Sequence, residues 1–282
     1  MRIAVTGASG QLGRDVLESL QRAQHEVIGL SRTELDITDL QACRTCLQAI
    51  RPEAIIHCAA HTAVDLAESE TDLAYSVNAW GTRNIAVAAE AISAKVVYIS
   101  TDYVFDGTAT TPYTEFDATF PQSVYGKSKL AGEQLLQSLC SRYFIVRTSW
   151  VFGKHGANFV KTMLMLGRTK DRLQVVHDQF GSPTYTIDLA AFLGELVQTE
   201  RYGIYHASNT GSCSWYEFAQ EIFKQAAVPV EVEPCTTEQF SRPAPRPRFS
   251  VMNHMAIRTN GFSEMRPWPE AVSAFLRELG ES

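Results

Sequence analysis

Gly7, Gly10 and Gly13 stand at intervals of three between an apolar run, Ile3-Ala4-Val5, and a segment of helical period near residues 11–22. A chain that leaves a strand through Thr6-Gly7-Ala8-Ser9-Gly10-Gln11-Leu12-Gly13 and enters a helix at once has few folds open to it. Glycine permits a tight turn at the first position, close approach of backbone to a pyrophosphate at the second, and tight packing of helix on strand at the third. The free amides at the helix start, around Gln11 and Leu12, then face that pyrophosphate, where the helix dipole favours negative charge. The pattern predicts a strand–loop–helix unit that holds a dinucleotide.

The rhythm continues down the chain. Apolar runs at 26–30, 54–58, 96–99 and 144–146 alternate with helical candidates near 38–50, 70–93 and 124–140. Runs that are apolar on both faces fit parallel strands covered on both sides by helices. The expected fold class is therefore α/β, a Rossmann-like doubly wound parallel sheet with a smaller C-terminal domain. Residues 1–150 are expected to form the dinucleotide-binding domain, with a returning segment near 183–207 that includes a strand at 203–207; residues 151–282 would mainly bind substrate. Arg242-Pro243-Ala244-Pro245-Arg246-Pro247-Arg248 can be neither helix interior nor central strand, because its prolines lack amide hydrogens. A last helix is expected at 269–279.

Composition narrows the class. A chain of 282 residues with 45% hydrophobic and 20% charged side chains can bury a full core and is not a disordered polymer. Its net charge of −6 argues against a polyanion such as nucleic acid as partner. Cys43, Cys46, Cys58, Cys140, Cys213 and Cys235 are scattered, unlike a disulfide framework, and Cys43-x-x-Cys46 lies in an amphipathic segment with no second pair to complete a metal site. No run approaches the length of a membrane span, and the N-terminus already reads as a strand, so a soluble cytoplasmic protein is expected.

Three side chains carry candidate chemistry. Of the ten tyrosines only Tyr125 has a lysine four positions on, Lys129, at the entry to a helix where both share one face. The lysine charge is expected to lower the phenol pKa, so that Tyr125 can pass a proton to a carbonyl oxygen while hydride reaches the carbon. Ser100 and Thr101 close the fourth strand, at the sheet edge where ligands bind, and the Thr101 hydroxyl can hydrogen-bond the same oxygen. The second strand ends Leu30-Ser31-Arg32, with a base where an acid would read the ribose of NAD. Arg32 thus points to NADP(H), with NAD(H) as the alternative, and Asp36-Ile37 to an adenine contact.

Glycine loop, strand-end hydroxyl and Tyr-x-x-x-Lys in this order resemble the extended short-chain dehydrogenase/reductase superfamily. Within it, Ala59-Ala60-His61-Thr62-Ala63-Val64-Asp65, Ser100-Thr101-Asp102-Tyr103-Val104-Phe105-Asp106-Gly107, Arg147-Thr148-Ser149-Trp150 and Arg246-Pro247-Arg248-Phe249-Ser250 resemble the dTDP-4-dehydrorhamnose reductase family. The resemblance implies Tyr125 as proton donor, Lys129 as its partner and ribose anchor, and Thr101 as the hydroxyl on the ketone. It implies that Gly7, Gly10, Gln11, Leu12 and Gly13 line the pyrophosphate, and that Ala59, Ala60, His61, Thr62 and Ser100 flank the dinucleotide. Asp102, Trp150 and Arg248 would touch a dTDP-linked 4-keto-6-deoxy sugar, and the protein would be a monomer or homodimer. Glu278 is a lone acid at a helix end and is not read as a magnesium site.

Three other functions share much of this pattern. A 4,6-dehydratase would need Thr-Asp-Glu at the strand end, where Tyr103 follows Asp102 here. A 4-epimerase could use the same three groups, and the non-catalytic regulatory subunit of methionine adenosyltransferase is similar at Tyr103–Gly107 and Tyr125–Lys129. Both depart from Arg147-Thr148-Ser149-Trp150.

Overall fold

Strand and helix alternate through the first half as the periodicity requires. In this computed structural model, which describes residues 1–281, β1 (Arg2–Thr6), α1 (Gln11–Arg22), β2 (Glu26–Leu30), α2 (Leu40–Ile50) and β3 (Ala54–His57) form the first unit. Then come α3 (Val64–Ala67), α4 (Thr71–Tyr75), α5 (Thr82–Ala91), β4 (Lys95–Thr101), α6 (Val124–Leu139) and β5 (Tyr143–Thr148). The remainder holds β6 (Val151–Phe152), α7 (Phe159–Gly167), β7 (Arg172–Val176), β8 (Phe180–Gly181), β9 (Thr184–Tyr185), α8 (Thr186–Leu196) and β10 (Gly203–His206). It closes with β11 (Cys213–Ser214), α9 (Trp215–Gln225), β12 (Glu231–Cys235), α10 (Met255–Thr259) and α11 (Trp268–Leu279).

One six-stranded sheet, order β10-β5-β4-β3-β1-β2, has parallel pairing throughout. Chain order runs outward in opposite directions from β1, which opens a crevice at the carboxyl ends of β1 and β3. Alternate residues of β1 feed two cores. Ile3 and Val5 pack with Val97, Phe144, Leu189 and Leu193 under α1 and α8. Ala4 packs on the opposite face with Leu47, Ile55, Ile85 and Leu136. A third core joins Phe152, Val160, Phe218, Phe223 and Phe275 in the C-terminal part, whose strands pair only in short ladders. All six cysteines are free, and Cys43 sits in the second core, where burial pushes its thiol up to about 12.

The continuous helix expected at 70–93 is three pieces: α4 and α5 flank a wider π-helical turn at Ser76–Gly81. One short π turn between two helical pieces is not told from α-helix by residue type over so few positions. Asn78, fully buried in this turn, donates to the Ser128 hydroxyl of α6 at 2.9 Å, and its carbonyl accepts from Thr82 Oγ1 at 2.7 Å. Gly132 makes this contact possible, since a Cβ there would meet the Tyr98 hydroxyl at 2.6 Å and overlap the Asn78 carbonyl oxygen. Gly132→Ala is expected to lower stability by about 1–3 kcal/mol, the usual cost of overpacking, read as an earlier midpoint in urea unfolding. An unchanged midpoint would mean that α6 can move off the π turn at no cost.

Candidate active site

A cavity of about 750 Å³ lies over the crevice and collects every residue expected in the site except Arg248. At one end the glycine loop turns beneath it. Gly7 has φ +66°, and a Cβ there would lie 2.6 Å from the Ala59 amide nitrogen, so the loop needs glycine for both conformation and space. Gly13 packs against the Gly7 carbonyl with no room for a side chain. Gly10 caps α1 without a side chain, and no acid occupies the first turn, so amides near Gln11 and Leu12 are available to an anion. The Gln11 side chain turns sideways: it donates to the Val151 carbonyl at 3.3 Å and accepts from Asn158 at 2.9 Å.

Arg32, Asp36 and Ile37 line the far end, with Arg32 exposed and Ile37 buried. Asp36 accepts from the Thr38 amide at 2.9 Å and the Thr38 hydroxyl at 2.7 Å, which hold its carboxyl below the usual range. Glu34, a second acid nearby, accepts from the Ser31 amide at 2.6 Å and is not part of the lining. Ala59, Ala60, His61 and Thr62 form the facing wall. His61 is held there by Asn78, which accepts from its amide at 2.8 Å and donates to its carbonyl at 3.1 Å.

The chemical end lies between β4 and α6. Ser123 caps α6 by accepting from the Gly126 amide at 3.1 Å, which places Tyr125 in the first turn and Lys129 one turn later. The Thr101 hydroxyl donates to Asp102 at 3.0 Å and accepts from the Tyr103 amide at 3.2 Å. Lys129 is buried; its ammonium donates to the Ile99 carbonyl at 2.6 Å and lies 4.0 Å from the centre of the Tyr98 ring. The expected lowering of the Tyr125 phenol by this lysine is not what the structure shows. Burial pushes Tyr125 up to about 12, its interaction with the Thr101 side chain opposes this, and the Asp102 charge adds to it. Desolvation is the largest influence on the phenol, and the Lys129 ammonium donates to the Ile99 carbonyl rather than to Tyr125. Lys129 is itself pushed down to about 7 by burial, against the charge of Glu133.

Ser100 lines the cavity, yet its hydroxyl turns away and donates to Glu133 at 2.5 Å. Trp150, at φ +47°, lines the cavity while stacking on Trp215 at 3.5 Å, and Gly181 lies flat beneath it. Arg248 is exposed, and the structure does not bring it into the lining; its carbonyl accepts from the Phe180 amide at 2.8 Å. Arg246 is the residue of that stretch that turns inward, donating to Asp65 at 2.9 Å and lying 6.0 Å from the Tyr103 ring. Sequence reasoning also missed Asn78, Tyr103, Ser149 and Glu133. Tyr103 and Ser149 stood inside the quoted motifs, and Glu133 had a signal in its place four residues after Lys129 on the face that carries Tyr125.

The family described as RmlD substrate binding domain matches residues 1–281. A dTDP-4-dehydrorhamnose reductase of Streptomyces griseus is 44% identical over 279 residues, 96% of this chain and 92% of that protein. The chain belongs to this reductase family. It is also 44% identical over 277 residues to the spore coat polysaccharide biosynthesis protein SpsK of Bacillus subtilis, covering 98% of this chain and 97% of that one. The crystal structure of dTDP-4-dehydrorhamnose reductase from Bacillus anthracis, in complex with NADP, superposes with a TM-score of 0.96 at 49% identity, over 98% of this chain and 99% of that chain. Among the described residues no helix is long and apolar enough to cross a membrane.

Asp102 gives the site of this family member a pH-dependent cost. It is buried, one carboxyl oxygen has no partner, and burial pushes it from 3.8 up to about 6 despite hydrogen bonds from Ser250 and Thr101. A carboxyl whose folded pKa is raised stabilises the fold most below its unfolded pKa, and that contribution is lost as pH rises through the folded value. Between about pH 4 and pH 6 the ligand-free protein should lose up to about 3 kcal/mol from this group, and Asp102→Asn should flatten that part of a stability–pH profile. A profile identical in the variant would show that Asp102 ionises without penalty.

Proposed function

We propose that this chain catalyses the NADPH-dependent reduction of the 4-keto group of dTDP-4-dehydro-L-rhamnose to give dTDP-L-rhamnose, in the cytoplasm. The observation that carries the reading is the placement of Tyr125 beside Thr101, with Lys129 one helical turn on, in one cavity with the glycine loop. Membership of the reductase family supports the reaction, and the NADP complex of the Bacillus anthracis relative supports the cofactor. The residues present fit that cofactor. The uncapped amides of α1 suit a pyrophosphate, Gly7 and Gly13 clear its path, and Arg32 offers a guanidinium to a 2′-phosphate.

When bound, the reduced nicotinamide supplies a hydride to the ketone carbon. Thr101 hydrogen-bonds the ketone oxygen and fixes its position, as negative charge grows there. Tyr125, raised to about 12, carries its proton at neutral pH and gives it to that oxygen, yielding the alcohol. The phenolate left behind is stabilised by the Lys129 ammonium and takes a proton back from solvent. Asp102 and Trp150 line the cavity and are assigned to the sugar nucleotide.

Ketone-dependent NADPH oxidation, followed at the nicotinamide absorbance band with the dTDP-linked 4-keto sugar, tests the reading. Tyr125→Phe should keep the fold and NADPH binding while turnover falls at least about 10²-fold. Thr101→Val should cost a factor of about 10² to 10³. NADPH should be preferred over NADH, and Arg32→Asp should narrow that preference. A folded, NADPH-bound protein that reduces no such ketone would instead be a binding protein, and the proposal would fail.

A further inference from the structure

Tyr125, Lys129 and Glu133 follow one another at intervals of four along α6. Only the first two reach the cavity. Glu133 lies buried behind its wall in a clamp of three donors. Arg147 Nε donates to its Oε1 at 3.0 Å and Arg147 Nη2 to its Oε2 at 2.7 Å, while the Ser100 hydroxyl takes Oε1 at 2.5 Å. Arg147 stands opposite Ser100 in the β4–β5 register, and Lys129 reaches the carbonyl of Ile99, the residue before Ser100. Consecutive residues of β4 therefore hold the lysine and the glutamate of α6.

We propose that Glu133 is a positioning residue for the reduction: its carboxylate, clamped by Arg147 and Ser100, keeps the Lys129 ammonium charged and seated behind Tyr125. The inference rests on the role given to Lys129 under the proposed function. The case is one of charge balance. Burial works against a charged Lys129, and the groups that face it offer little help. From β3 and its end, His57 is pushed down to about 3 and Cys58 up to about 12, both by burial, so at neutral pH neither carries charge. From β4, burial pushes Tyr98 well up, and Tyr125 of α6 is likewise protonated. From β5 comes Arg147, a permanent cation, backed by His206 of β10, which burial pushes down to about 3. Asp102 faces Tyr125 rather than the lysine. Glu133 is the one carboxyl group in the set, and its charge acts to hold the lysine proton.

The test is an NMR titration of the Lys129 side chain in the ligand-free protein, assigned by the signal lost in Lys129→Met, beside kcat/KM against pH with NADPH and the 4-keto sugar. Lys129 is charged below its midpoint, so a lower midpoint moves the alkaline limb of activity to lower pH. Glu133→Gln should lower the midpoint by about one unit or more and shift the limb in the same direction. Because that variant leaves Arg147 buried and unpaired, Glu133→Gln/Arg147→Met, which removes both charges, serves as the variant that folds, and should lower the midpoint too. A merely structural Glu133 predicts reduced stability or uniformly reduced turnover with the midpoint and limb unmoved, and that result in a folded variant overturns the proposal. Turnover unaffected by Lys129→Met would overturn the site reading and the role of Glu133 with it. A lysine-dependent enzyme indifferent to Glu133→Gln would overturn the role of Glu133 alone.

Discussion

Two backbones meet where β1 turns into α1. Gly7 presses on Ala59 at the end of β3, and Gly13 presses on Gly7, so strand, loop and helix are locked with no side chain between them. This contact sets the crevice at the point where the strand order reverses, and the rest of the site is hung around that crevice. α1 delivers its amides to one end, β3 carries Ala59 to Thr62 along the wall, and β4 brings Thr101 to the other end. Even Gln11 takes part, since its side chain bridges to Val151 and Asn158 and so ties the loop to the C-terminal region.

Desolvation then sets the chemistry. The same burial that raises Tyr125 and Asp102 lowers Lys129 and His57. Reduction needs a proton on the tyrosine at the start and a cation near it once the proton has left. Burial favours the first and works against the second. The buried Glu133–Arg147 pair meets that opposition, bringing a carboxylate within electrostatic reach of the lysine without exposing it to the cavity. Such a pair is weak evidence for stability, which is consistent with a role in chemistry.

The glycine loop, the alternating strands and the Tyr125–Lys129 spacing were legible because each is a local pattern with a fixed period or turn requirement. The π turn at Ser76–Gly81 was not, because so short a turn between helical pieces carries no residue type of its own, and Asn78 inside it looks like any polar helix residue. Arg246 and Arg248 are indistinguishable by type and differ by two positions, yet one pairs with Asp65 near Tyr103 and the other faces solvent. Ser100 was read as a cavity hydroxyl, while its partner Glu133 lies far along the chain.

By itself, then, the sequence determined the parallel sheet, the placing of the glycine loop and the Tyr125–Lys129 spacing, since these follow from residues close together in the chain. Tertiary structure alone decided the directions in which Tyr125 and Lys129 are shifted and the partner of Ser100. Those depend on how much water is excluded and on which charges from other strands and helices come within reach, and neither is written in local spacing.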